Sequence, residues 1–269
     1  MRPQRLAAQP ARELKAMAPL LSYHDMNALL EAELDRLRPP VRILEAGCGR
    51  HWGLKLAIPY TLTGIDLDRE ALAARTDLNR TIVGDLRTAE FPAGSFDVIY
   101  CAFVLEHVKG AEQVLERFLR WLAPGGLLII KVPDRDSAYG FLARTTPLWV
   151  HVLTYRWLLG YREAGTPGHG PYPTAYDEVI SERGLARFCA AHGLGAPQVR
   201  QLCSYTGRRL VTTGAFVVSA LSAGQLAWRH NNLLLVARAP SLQPSTAGTR
   251  SAAAGRAGAG TQRRGIVAA

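Results

Sequence analysis

The chain has 269 residues, 48 % of them apolar, enough to bury the core of one large domain. Its net charge of +10 does not mark a nucleic-acid-binding face: Arg2, Arg5, Arg12 and Lys15 against Glu13 give +3 at the start, Arg250, Arg256, Arg263 and Arg264 give +4 at the end, and only 10 − 3 − 4 = +3 remains for the body. Cys48, Cys101, Cys189 and Cys203 form no C-x-x-C pair, so they read as free thiols of a reducing compartment, with neither disulfide nor metal expected.

No apolar stretch follows the Arg-rich start, so no secretory signal is expected and a cytoplasmic location is. Residues 1–20 read as a flexible lead. Ser22 caps a helix through Arg38, with Leu29, Leu30, Leu34 and Leu37 at helical spacing and Pro39-Pro40 as the stop. Strands are predicted at 41–46, 61–65, 81–84, 96–101 and 127–132, with helices at 69–78 and 111–123 between them. The second helix carries Val114, Leu115, Phe118, Leu119 and Leu122 on one face and closes at Pro124-Gly125-Gly126. A helix at 181–192 and strands near 198–203 and 233–238 complete a domain spanning 21–239. Continuous apolar strands alternating with helices specify an α/β, doubly wound, mostly parallel sheet. The stretch 240–269 is dominated by Ala, Gly, Ser, Thr and Arg and is expected to be disordered.

Ligands of an open parallel sheet bind outside the carboxyl ends of its strands. The first strand ends in Glu45-Ala46-Gly47-Cys48-Gly49, the second in Asp66 and the third in Asp85. Gly47 and Gly49 let backbone approach a ligand closely. Three carboxylates in this row suit a cationic amine and a ribose diol, and would repel a pyrophosphate. A dinucleotide site would need glycine at position 52, where this chain has Trp52. Taken singly, Asp66 and Asp85 read equally well as caps of the turns after their strands, and Asp68 reads as the cap of the helix at 69.

The series ILEAGCG (43–49), GIDLD (64–68), VGDL (83–86), FDVIYCAFVLEHV (96–108) and LAPGGLLIIKVPD (122–134) resembles the successive motifs of class I S-adenosylmethionine-dependent methyltransferases, nearest the enzymes that modify quinones and natural products. The likeness runs directly over about 40–135 and more weakly to 238. It implies a seven-stranded sheet in the order 3-2-1-4-5-7-6, the last strand antiparallel, and S-adenosyl-L-methionine as cofactor. By position it puts Glu45 near the methionine amine, Gly47 and Gly49 under the cofactor, and Asp66 on the ribose. Leu67 then packs on the adenine, Asp85 and Leu86 meet its amino group and ring, and Cys101 with Ala102 lines the methionine arm. One departure stands out: His51 replaces the third glycine of the family's loop, with Gly53 two residues on, so the first crossover should be short or irregular.

A sulfonium methyl is already activated, so a base is needed only when the acceptor carries a proton that must leave. His107 is one candidate, its alternative role being to start the helix after the fourth strand. Asp134, at the end of the fifth, is a second. Residues 100–103 lack the Pro-Pro motif of amino-directed relatives, so methylation of an exocyclic base amine is not expected. Residues 139–176 hold eight of the 21 aromatics, namely Tyr139, Phe141, Trp149, Tyr155, Trp157, Tyr161, Tyr172 and Tyr176. They are expected to form a mainly helical cap, about 139–180, over a small-molecule acceptor that is apolar or ring-bearing; a second insertion spans about 205–231. The alternative for these rings is an extra core or a dimer contact. Residues 210–228 carry no charge but are diluted by Thr, Ser, Gly and Gln, which points to a packed helix, with peripheral membrane association as the alternative to spanning. Competing functions are methylation of RNA or protein, or cofactor binding without catalysis.

Overall fold

The computed structural model describes residues 23–241, apart from 51, 53, 55, 167, 168 and 206. The expected cap at Ser22, the His51 and Gly53 substitutions, the flexible lead and the tail beyond 241 lie outside those residues.

The sheet has seven strands: β1 (Val41–Ala46), β2 (Tyr60–Asp66), β3 (Arg80–Val83), β4 (Phe96–Ala102), β5 (Leu122–Pro133), β6 (Gly195–Leu202) and β7 (Asn232–Arg238). Their spatial order is β3-β2-β1-β4-β5-β7-β6, as the motif series implies. β1 to β5 run parallel, and β7 is antiparallel to both β5 and β6. The helices are α1 (Tyr23–Leu34), α2 (Arg69–Ala73), α3 (Ala111–Trp121), α4 (Ala138–Thr145), α5 (Leu148–Leu153), α6 (Glu182–Ala191) and α7 (Arg209–Leu221).

Each strand splits its side chains between two cores because successive residues point to opposite faces. Ile99 and Cys101 of β4 and Leu128 and Ile130 of β5 pack with Val114, Phe118 and Trp121 of α3 and Leu185 and Phe188 of α6. The intervening Val98, Tyr100, Leu127 and Ile129 pack with Met26, Leu30 and Leu34 of α1. Phe118 and Trp121 are fully buried, and burial of each such ring stabilises by about 1.5–3 kcal/mol.

Three boundaries differ from the sequence reading, the last two for a tertiary reason. α1 stops at Leu34, not Arg38, and 35–37 form a turn. α2 ends at Ala73 rather than 78, because Arg75 leaves the helix to bury its guanidinium against Glu45, Asp77 and the Cys48 carbonyl. α3 ends at Trp121; Leu122 already pairs with Phe96, and Pro124-Gly125-Gly126 becomes an irregular start to β5, absorbed by a register shift between Phe96 and Val98.

The first insertion opens on α4, where Ser137 caps the helix by accepting from the Gly140 N–H. It continues through α5 into a π turn at Thr154–Leu158, and its described residues from 159 to 180 are irregular. The second insertion is built around α7. The two meet where the Ala138 N–H donates to the Ala227 carbonyl at 2.7 Å and where Tyr139 stacks on Tyr205 at 5.2 Å. Among the described residues no helix is long and apolar enough to cross a membrane.

Candidate active site

The sequence-predicted residues gather at the carboxyl ends of β1 to β5. After β1 the chain turns through Gly47 (φ 71°) and Gly49 (φ 55°). The two glycines have different reasons. A Cβ at Gly47 would lie 2.2 Å from Cγ2 of Val104, so packing against the turn after β4 demands glycine there. A Cβ at Gly49 would meet nothing within 4 Å, so this backbone faces open space. Asp66 holds the loop in place: Oδ2 accepts from the Gly49 N–H at 2.9 Å and Oδ1 from the Asp68 N–H at 2.9 Å. Asp68 caps α2, as its position suggested, by accepting from the Glu70 and Ala71 N–H groups. Leu67 beside it is 70 % exposed, an uncommon fate for a leucine next to a strand end.

Asp85 caps the following turn through the Arg87 N–H and pairs with the Arg87 guanidinium, which holds its carboxyl below the usual range. Leu86 turns into the core. Cys101 is fully buried in that core, its thiol pushed up by desolvation, so it meets the strand end only through its backbone; Ala102 is half-buried.

Glu45 is committed to a partner that the sequence reading missed. Oε2 accepts from Arg75 at 2.8 Å with both side chains buried. Desolvation pushes the Glu45 carboxyl up to about 7 against the pull of Arg75. No local pattern marks Arg75, which lies 30 residues away and whose helix had to end to deliver it.

Asp134 is also committed. Its Oδ2 pairs with Nε2 of the buried His230 at 2.8 Å, and its Oδ1 accepts from the Asp136 N–H at 2.9 Å. Both oxygens therefore brace the β5–α4 turn. His230 was not singled out in the sequence, being 96 residues distant.

His107 sits in the short 3₁₀ turn Leu105–His107 after β4. Five hydrogen bonds tie this region to the end of the cap. The Ala175 and Tyr176 N–H groups donate to the Glu106 carbonyl at 2.7 and 3.2 Å. Gly110 and Ala111, at the head of α3, donate to Oδ2 of Asp177 at 2.7 and 2.8 Å. Nδ1 of His107 contacts the Pro173 carbonyl at 2.8 Å. The Tyr172 ring meets the His107 ring edge-on at 5.9 Å. Burial pulls the His107 pKa below its ordinary value.

Glu106, its neighbour, is the third residue missed, after Arg75 and His230. It is 4 % exposed, its Oε2 has no hydrogen-bond partner, and its Oε1 stands 3.8 Å from Nε2 of His107. Desolvation pushes its carboxyl up to about 8. The only sequence signal was adjacency to His107.

The cap divides its aromatics. Tyr176 is buried, Tyr139 and Tyr155 are half-buried, and Tyr172 reaches His107, whereas Trp149, Trp157 and Tyr161 face outward. Trp149 is 64 % exposed and sits on a helix none of whose residues is buried.

A sheet in this order with one antiparallel strand, a glycine turn after β1 and carboxylates after β2 and β3 is the architecture of the class I S-adenosylmethionine-dependent methyltransferases. Open space over Gly49 and an exposed Leu67 beside Asp66 fit an adenosine, while Arg75 leaves Glu45 less free for an amine than its position implied. The chain belongs to the methyltransferase-domain family, whose sequence profile matches residues 21–194.

It is 31 % identical over 163 residues to phosphoethanolamine N-methyltransferase 3 of Arabidopsis thaliana, covering 54 % of this chain and 31 % of that protein. It is 28 % identical over 193 residues to the ubiquinone biosynthesis O-methyltransferase of Paracidovorax citrulli, covering 66 % of this chain and 74 % of that one. Phosphoethanolamine N-methyltransferase 2 of Haemonchus contortus, solved with S-adenosyl-L-methionine, superposes with a TM-score of 0.51 at 16 % identity over 81 % of this chain and 53 % of that one. The chain thus spans about a third to three quarters of the length of these relatives.

Proposed function

We propose that the chain methylates a small, apolar or ring-bearing molecule held between the turn after β4 and the cap. The observation that carries this reading is the five-bond clamp joining residues 106–111 to 173–177, which gathers His107, Glu106, Tyr172 and Tyr176. S-adenosylmethionine, when bound, supplies a methyl group already activated on sulfur. Gly47, Gly49, Asp66, Leu67, Asp85 and Leu86 would hold it, with the backbone at Cys101 and Ala102, and with Glu45 acting through its pair with Arg75.

What remains for the chain is to align the acceptor, exclude water and receive its proton. His107 suits the last task. A carbonyl oxygen only accepts, so Nδ1 carries the ring proton and Nε2 keeps a lone pair. With its pKa lowered by burial, the ring is neutral near pH 7. Glu106, protonated at that pH, would donate from its buried carboxyl to a polar atom of the acceptor. Asp134, with both oxygens engaged, braces the turn that starts the cap. The names of the relatives, acting on phosphoethanolamine and in ubiquinone biosynthesis, support an acceptor of low mass. The reading includes a cytoplasmic site of action, which the free cysteines support.

The test is methyl transfer from labelled S-adenosylmethionine into a cell extract split by size. Label in the low-mass, solvent-extractable fraction is expected. Label confined to RNA or protein would overturn the proposal.

A further inference from the structure

The outer surface of the cap is apolar where a water-facing helix normally carries charge. Trp149, Leu153 and Trp157 recur every fourth residue along α5 and the π turn, and Trp157 is 85 % exposed. On α7 the buried residues are Ala215 and Ser219, while Leu210, Val217 and Leu221 form an exposed stripe, Leu221 at 84 %. Phe216, also exposed, meets Trp228 edge-on at 5.3 Å.

Within the two segments that carry these side chains the charges have one sign. Residues 138–161 and 204–230 contain no Asp or Glu, yet hold Arg144, Arg156, Arg208, Arg209 and Arg229, all exposed. Among the described residues none of the five forms an ion pair, although most other arginines near acids do. The two segments are parts of one body, tied by the Ala138–Ala227 hydrogen bond and the Tyr139–Tyr205 stack.

We propose that this face of the cap docks on an anionic lipid surface. Tryptophan and leucine enter the headgroup boundary, and unpaired arginines beside them meet lipid phosphates. A protein partner of matching shape would be expected to face a groove or charge pattern of both signs; here the exposed apolar residues lie on helices whose own charged residues are arginines alone, and the nearby Glu163 is paired with His169. α7, with 13 residues, is about 20 Å long and suits lying in the interface rather than crossing it. Such docking would set the cap, and the catalytic turn clamped to it, against the compartment in which apolar acceptors dissolve.

The experiment is co-sedimentation of the full chain with phosphatidylcholine vesicles, with and without roughly one third phosphatidylglycerol. Binding to the anionic vesicles, at least tenfold weaker to phosphatidylcholine alone and reduced by salt, is the expected result. Arg208→Glu with Arg209→Glu should weaken it by about 10-fold or more at roughly 1 kcal/mol per charge. Trp149→Ser with Trp157→Ser should abolish it while leaving the melting temperature unchanged, since both rings are exposed. Equal binding to both vesicles, or no binding to either, overturns the proposal, and two copies per particle by light scattering would then assign the face to a second copy of the chain. The readout needs no methyl transfer, so its failure is separate from failure of the proposed reaction.

Discussion

Nδ1 of His107 donates to the carbonyl of Pro173 at 2.8 Å, across 66 residues of chain. The bond settles the tautomer of a half-buried imidazole and ties the turn after β4 to the end of the cap. If the proposed role is right, His107→Gln lowers kcat by about 100-fold or more, the usual scale for losing a positioned base. Cofactor affinity should stay nearly constant, because His107 is not among the residues proposed to hold the cofactor, which end at Ala102 of β4. In the wild type, activity should fall as pH drops below the ordinary histidine range, since burial lowers this pKa and the ring must be neutral to act. A pH–rate profile for wild type and variant checks both; an unchanged kcat removes His107 from the reaction.

Glu106 predicts a stability change with a definite sign. Its folded pKa is raised from 4.5 to about 8 by burial. Between those values the unfolded chain releases a proton that the folded chain keeps, so this group's contribution is complete below about pH 4.5 and is lost as pH rises through 8. Glu106→Gln cannot ionise. Its stability relative to wild type should therefore increase from pH 5 to pH 8, by at most about 5 kcal/mol for 3.5 units. Denaturant melts at both pH values measure this, and a constant difference would contradict it.

Arg75→Met should destabilise the fold by about 3–5 kcal/mol, because it strands a buried carboxylate at Glu45. The loss should shrink as pH falls and Glu45 takes up a proton. The double variant Arg75→Met, Glu45→Gln should recover much of it. A double-mutant cycle by chemical denaturation decides whether the two act as a pair.

Asp66→Ala should weaken S-adenosylmethionine binding by roughly 10- to 150-fold, the loss of about 1.5–3 kcal/mol for a charged hydrogen bond. The side chain also holds the Gly49 N–H, so part of the loss would be positional. Calorimetric titration with a melting curve separates binding from folding; unchanged affinity takes Asp66 out of the site.

Tyr172 and Trp149 lie on one cap but should behave differently. Tyr172→Ala removes the ring that meets His107 and should reduce or redirect methyl transfer with cofactor affinity intact. Trp149→Ala removes an outward ring and should leave transfer to a water-soluble acceptor within twofold or so of wild type. Equal losses at both positions would mean that the cap acts only as a unit.

Much of the architecture was readable from residues 41–135, because strand and helix periodicity is a local property and each motif closes its own strand. The cap on α2 at Asp68 and the glycine turn after β1 follow from patterns contained within a few residues of one another, whereas the strand order is what the resemblance of the whole motif series implies. The chosen bases illustrate the boundary of that legibility. His107 was visible in the Leu-Glu-His turn, but Glu106 beside it was not, because nothing in its neighbours indicates that it will be buried with one oxygen unpartnered.

Partnership is where tertiary structure decided. Glu45 meets Arg75 over 30 residues, Asp134 meets His230 over 96, and the backbone at Gly110 and Ala111 is capped by Asp177. Each pairing braces its group from a distant part of the chain. The same holds for the aromatic segment, whose composition announced a cap but not that Tyr176 would be buried and Tyr172 would meet His107 while Trp149 and Trp157 stayed exposed. Local sequence determines which way a strand or helix presents its side chains, but burial and charge pairing depend on which distant segment arrives opposite, and only the folded chain brings those segments together.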